Sequence, residues 1–164
     1  MARQVRWIWL DQGAESQSSS QTTSGLRIIN QQPPGGGIRR SVLRESLPGY
    51  EGYGTHVITY SFPAGSLMGV SYEAQEFTEY LPWNDDGGKC LNLLYQAFNA
   101  GLIFKIQEVG DRRGKIVWND EFPHKTNKTG GPENNGYPDS NHTIKLQEAL
   151  KAKGYEYDSS IWVR

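Results

Sequence analysis

A single cysteine in 164 residues sets the terms on which this chain can fold. Cys90 has no second thiol to form a disulfide with, and a structural zinc needs four closely spaced ligands, so neither staple is open to it. A hydrophobic core must do the work instead. Hydrophobic residues make up 36% of the chain and aromatic residues 12%, including 5 Trp and 9 Tyr, and large rings bury much area per residue. Cys90 itself falls inside an apolar helical pattern, where a buried structural thiol is the ordinary outcome.

The length predicts one compact domain, preceded by a polar lead. Residues 5–11, "VRWIWLD", alternate like a short strand, whereas residues 12–24, "QGAESQSSSQTTS", are too polar to offset their ordering entropy. "QQPPGGG", residues 31–37, is a second breaker. The division expected is therefore a strand-like patch and flexible lead over 1–37 and a folded domain over 38–164. The start carries no long apolar run, which predicts neither a signal peptide nor a membrane span and points to an intracellular protein, in cytoplasm or nucleus. A net charge of -1 gives no electrostatic reason to expect nucleic acid or membrane as partner.

Within the domain, "IRRSVLRES" and "THVITYSF" alternate with period two and read as strands. "SFPAGSLMGVSYEAQ" reads as a loop, because Pro63, Gly65 and Gly69 interrupt it. "GGKCLNLLYQAFNAG" carries Leu91, Leu94, Tyr95 and Phe98 at helical spacing, with Asp86 near its start and Gly101 at its end. "LIFKIQEV" and "KIVW" form a hairpin around "GDRRG". A second helix is expected from Ser140 to Gly154, with Ile144, Gln147 and Leu150 on one face. Strands and helices mixed without βαβ alternation predict an α+β fold with antiparallel or mixed strands and two main helices.

Few residues carry chemistry on spacing alone. Asp85-Asp86 and Asp120-Glu121 read as a helix start and a surface loop. His56 and His142 read as structural or exposed. His124 differs, because it follows the strand "KIVW" and precedes Lys125, Thr126 and the glycine-rich "TGGPENNGYPD". A strand end feeding such a loop gathers amides, a cation and hydroxyls on one rim, which suits an anionic, ribose-bearing ligand. Arg112 and Arg113, at the hairpin tip, are either solvated or within reach of a phosphate. None of the common nucleotide, zinc-protease or serine-hydrolase motifs occurs, and no metal ligand set or catalytic residue is expected.

"SLPGYEGYGTHVITYSFPAG", "YLPWNDDGGKCLNLLYQAFNAGLIFKI", "VWNDEFPHKT", "GYPD" and "LKAKGYE" together resemble the C-terminal domain of the Deltex ubiquitin ligases, in order, from about residue 38 to 158. The resemblance implies an α+β domain whose groove binds ADP-ribose or NAD and which works beside a RING domain on ubiquitin or ADP-ribosylated proteins. It implies that Trp118 and Tyr137 wall the ligand, that His124, Lys125 and Arg112 meet the diphosphate, and that Asn119, Thr126 and Asn135 meet ribose hydroxyls. Core packing for Trp118 and a turn anchor for Tyr137 are the plain alternatives.

Departures from the family pattern limit the chemistry. One cysteine cannot supply a RING's zinc ligands, so ubiquitin or a RING protein would have to be engaged in trans. Asn135 stands where some members carry a histidine implicated as a base, and an amide takes no proton at neutral pH. The family's glutamate falls on Ala149, and Glu148 lies about 100° round the helix from it. "QEVGDRRG" replaces a longer Ser/Thr-rich loop that contributes to the groove. The function expected is an ADP-ribose- or NAD-binding module without autonomous ligase activity and with no required cofactor. A protein-interaction scaffold with a repurposed groove, or a transferase working with a RING partner, are the alternatives.

Overall fold

A computed structural model of the chain describes residues 26–161. The strand-like patch and polar lead expected before them lie outside the described residues. The rest divides into two compact units, one of residues 26–34, 64–74 and 104–118, the other of 35–63, 75–103 and 119–161. Helices sit beside largely antiparallel sheets with no βαβ repeat, so the α+β class expected from the sequence is the class observed.

The first unit is a sheet of short strands: β1 (Ile28–Ile29), β4 (Gly65–Leu67), β5 (Val70–Tyr72), β7 (Phe104–Gly110) and β8 (Arg113–Trp118), in the order β1-β7-β8-β5-β4. Ile29, Val70, Tyr72, Phe104, Ile106 and Ile116 are its buried apolar side chains. β7 and β8 form the expected hairpin, turning at Arg112 with φ +56°. The segment expected to be loop instead holds β4 and β5. Met68 and Gly69, at φ +50° and +81°, make the doubly left-handed two-residue turn that joins antiparallel strands tightly. Methionine is not a usual first residue for that turn, so the local signal was absent.

The second unit sets β2 (Gly37–Leu43), β3 (Thr55–Phe62) and β6 (Gln75–Pro82) against α1 (Asp85–Asn99) and α2 (His142–Lys151), with β3 central. β3 coincides with the strand read from "THVITYSF". β6 escaped notice because a glutamate occupies one of its inward positions: Glu79 pairs across from Ile58, is 0% exposed, and breaks the apolar alternation. α1 begins at Asn84, whose Oδ1 accepts from the Gly87 N–H at 2.8 Å, and its first turn holds Asp85 and Asp86. Cys90, Leu91, Leu94, Ala97 and Phe98 form its buried face. α2 buries His142, Leu146 and Leu150; of the face expected from the sequence, Leu150 is buried and Gln147 half-buried, but Ile144 is 52% exposed. Two residues before Leu146 is about 200° round the helix, which turns Ile144 outward.

The described chain ends in a segment fastened along α1. The Asn92 side-chain amide donates to the Asp158 carbonyl at 2.9 Å and accepts from the Asp158 N–H at 3.1 Å, and Gln96 Nε2 donates to the Glu156 carbonyl at 3.0 Å.

Candidate functional site

The polypeptide leaves β8 through a turn built by Asn119. Its N–H donates to the Ile103 carbonyl at 2.8 Å, its Nδ2 to the Leu102 carbonyl at 2.9 Å, and its Oδ1 accepts from the Glu121 N–H at 3.0 Å. Phe122 then drops into the core at 2% exposure. Three residues later the chain runs beside the free edge of β6, where the Tyr80 N–H donates to the Lys125 carbonyl at 2.9 Å. This path places His124 Nδ1 3.1 Å from Glu79 Oε1, with the histidine side chain 6% exposed. The Tyr60 hydroxyl donates to the other oxygen of the same carboxylate. A carboxylate only accepts, so Nδ1 of His124 carries the proton toward it. Burial, and after it the Glu79 charge, push the Tyr60 hydroxyl well above its ordinary range.

Beside this triad lies a second pair. Lys125 Nζ donates to Asp139 Oδ2 at 2.7 Å, with the two side chains 6% and 16% exposed. That hydrogen bond is the chief reason the Asp139 carboxyl is held below its usual value. The ammonium also stands 5.8 Å from the centre of the Tyr137 ring. Tyr137 is fully buried: its hydroxyl donates to the Tyr80 carbonyl at 2.7 Å, and Tyr50 and His142 meet its ring edge-on at 5.9 and 6.0 Å. Burial holds His142 down at about 4. Glu79, His124, Lys125, Asp139 and His142 thus gather in one interior neighbourhood of the second unit.

The glycine-rich loop above closes on itself. The Asn127 N–H donates to the Asn135 carbonyl at 3.0 Å, the Gly131 N–H to the Tyr137 carbonyl at 3.1 Å, and the Gly136 N–H to the Gly131 carbonyl at 2.9 Å. Only glycine fits at 136, because a Cβ there would lie 1.9 Å from the Thr129 carbonyl oxygen. Asn135 caps the short 3-10 turn Pro132–Asn134 in the left-handed region, at φ +51°, and is exposed; Thr126 is half-buried.

Of the eight residues expected to meet a ligand, six belong to the second unit and two to the first. His124, Lys125 and Tyr137 come together, but facing inward: the anchor alternative describes Tyr137, and the Lys125 charge already has a carboxylate partner. Asn119 shapes a turn, while Thr126 and Asn135 keep solvent access. Trp118 and Arg112 belong to the first unit. There Trp118 is half-buried and stacked on Phe104 at 4.6 Å, and Arg112 is exposed at the hairpin tip. Sequence reasoning missed Tyr60, Glu79, Asp139 and His142. The one available signal was Glu79, a charge with the parity of inward positions in a strand.

The second unit also carries a cavity of about 940 Å³ at the N-terminal end of α1, walled by Tyr53, Trp83 and Tyr157 and lined by none of the eight expected residues. No helix among the described residues is long and apolar enough to cross a membrane.

Comparison with known proteins gives these features a context. Residues 30–155 match the Deltex C-terminal domain. The chain is 39% identical over 143 residues to the probable E3 ubiquitin-protein ligase DTX3 of Homo sapiens, covering 80% of this chain and 40% of that protein. It is 34% identical over 139 residues to the E3 ubiquitin-protein ligase DTX4 of Mus musculus, and over 140 residues to DTX1 of Xenopus laevis, covering 79% of this chain and 22% of each. This chain therefore spans well under half the length of these relatives.

Proposed function

The chain belongs to the Deltex C-terminal domain family, and on that premise we propose that it binds ADP-ribose or NAD as a module of the ubiquitin and ADP-ribosylation pathway. The ubiquitin half of the proposal draws on the relatives, which are named E3 ubiquitin-protein ligases. The ligand half draws on one observation, the gathering of Glu79, His124, Lys125, Asp139 and His142 in a single interior neighbourhood. Removing the charges of Glu79, Lys125 and Asp139 from water costs several kcal/mol per ion, on the order of the domain's whole stability. Proteins concentrate groups of this kind where function requires them.

With their side chains 6% exposed, His124 and Lys125 act as positioning residues. They hold the 126–136 loop, whose Thr126 and Asn135 meet the ligand from the solvent side together with the Asn119 turn. Transfer chemistry is not part of the proposal. Asn135 and Ala149 replace the family's histidine and glutamate, leaving no side chain there to take a proton. One cysteine among these 164 residues cannot hold a RING's zinc ions, so recruitment of a ubiquitin-loaded conjugating enzyme is not a role proposed for these residues.

Isothermal titration with ADP-ribose and with NAD tests the binding. Heat is expected at micromolar to millimolar ligand, weakened about tenfold in Asn135→Ala by loss of a hydrogen bond; no heat at millimolar ligand with folded protein refutes it. Labelled ADP-ribose appearing on ubiquitin after adding conjugating enzyme and a RING protein would overturn the non-catalytic part. A second reading, the fold as a protein-interaction scaffold, is favoured by the cluster of exposed aromatic rings round the cavity at α1.

A further inference from the structure

Seven large apolar side chains stand exposed among the described residues, and three of them, Tyr53, Trp83 and Tyr157, wall the 940 Å³ cavity at the start of α1. They are 49%, 49% and 52% exposed. Scattered singly, exposed apolar residues are unremarked features of any surface; gathered round a concavity, aromatic rings mark a recognition site. Trp83 is also held in position. Its backbone N–H donates to the Gly54 carbonyl at 2.8 Å, Gly54 packs under its ring with no room for a Cβ, and the Arg40 guanidinium lies 5.5 Å from the ring centre.

The cavity's polar groups are arranged asymmetrically. Asp85 and Asp86 line it, and neither makes an ion pair among the described residues. Lys89 is the one cation among its lining residues and the Arg40 guanidinium stands beside Trp83, while the tail segment that forms one wall carries Glu156 and Asp158 besides. The positive end of α1 offsets roughly half an elementary charge, so the carboxylates still predominate. His56 supplies a donor. It is 3% exposed and lines the cavity; Arg40 Nε donates to its Nδ1 at 3.0 Å, so the proton sits on Nε2, which has no hydrogen-bond partner. Burying a donor unpaired is costly, and an acceptor reaching the cavity would relieve it.

We propose that this cavity binds a peptide segment through one cationic side chain, lysine or its methylated form, laid between the Trp83, Tyr53 and Tyr157 rings and facing Asp85 and Asp86. The rings attract the cation through their faces and cover its aliphatic stem. His56 Nε2 is covered in this structure, and a small shift of the ring would let it donate to a backbone carbonyl of the same segment. The site goes beyond nucleotide binding and does not depend on it, since it shares no residue with the His124 loop.

The test uses the 164-residue chain and three capped peptides identical except for a central lysine, trimethyllysine or norleucine, titrated to millimolar while following the backbone amide resonances of residues 84–89. The lysine or trimethyllysine peptide should bind at least about tenfold more tightly than norleucine, the better of the two identifying the modification state. Trp83→Ala, and separately Asp85→Asn with Asp86→Asn, should each weaken that binding about tenfold. The carboxamide pair is exposed and keeps the helix start, so it reads out even if the tryptophan variant is unstable. Equal affinity for norleucine, no shift with any peptide, or full affinity in the carboxamide pair overturns the proposal.

Discussion

Replacing Lys125 by methionine asks whether the interior pair acts as a buried or a surface ion pair. Methionine keeps most of the length and apolar stem while deleting the charge that Asp139 Oδ2 meets at 2.7 Å. Exposed pairs contribute at most about 1 kcal/mol, whereas removing one partner of a buried pair costs about 3–5 kcal/mol because the other charge is stranded. The lysine side chain is 6% exposed but the aspartate 16%, so water reaches the stranded carboxylate in part and the lower end, about 3 kcal/mol, applies. The Lys125→Met/Asp139→Asn double variant should recover part of that loss, the coupling that a pairwise contact produces. The pH dependence supplies an independent check. The folded Asp139 carboxyl titrates below its unfolded value of about 3.9, so its contribution is present above that pH and fades as pH falls through the folded value. Lys125→Met should flatten that acid limb. Urea unfolding at pH 7 and across pH 5 to 2 measures both; a loss under about 1 kcal/mol with an unchanged acid limb would place the pair among surface interactions and refute the reasoning.

His142, held down at about 4 against about 6.5 unfolded, contributes stability that is complete above the unfolded value and is lost as pH falls toward the folded one. About 2 kcal/mol should disappear between pH 7.5 and 5 on its account, and His142→Gln should show a correspondingly shallower decline in urea midpoint. Cys90, buried with its thiol pushed up to about 12, should resist a water-soluble thiol reagent at pH 8 in the native protein and react stoichiometrically in urea; prompt native labelling would contradict its burial. Gly136→Ala would force a Cβ to within 1.9 Å of a backbone oxygen and should cost at least about 2 kcal/mol, read as a fall in melting temperature.

What was legible in the sequence was what depends on near neighbours. α1 announces itself through Leu91, Leu94 and Phe98 at helical spacing, and the β7–β8 hairpin through apolar runs either side of Asp111–Arg112. Features set by distant parts of the chain were hidden. Glu79 belongs in the interior only because Tyr60 and His124 come to it from 19 and 45 residues away, and nothing inside "QEFTEYLP" reveals that company. The same blindness explains the site. Lys125 read locally is a cation beside a glycine-rich loop; read with Asp139, it is half of an internal pair. The cavity at α1 was illegible because its rings come from the β2–β3 connection, the end of β6 and the tail.

The grip of Asn92 on the tail touches only main-chain atoms of Asp158, an N–H and a carbonyl that every residue but proline possesses. Side chains at 157, 159 and 161 can therefore be exchanged while the strap stays fastened. A chain built this way can diversify what it recognises one substitution at a time, with the cost to folding kept small, and a combinatorial library at those three positions would be a direct route to redirected specificity.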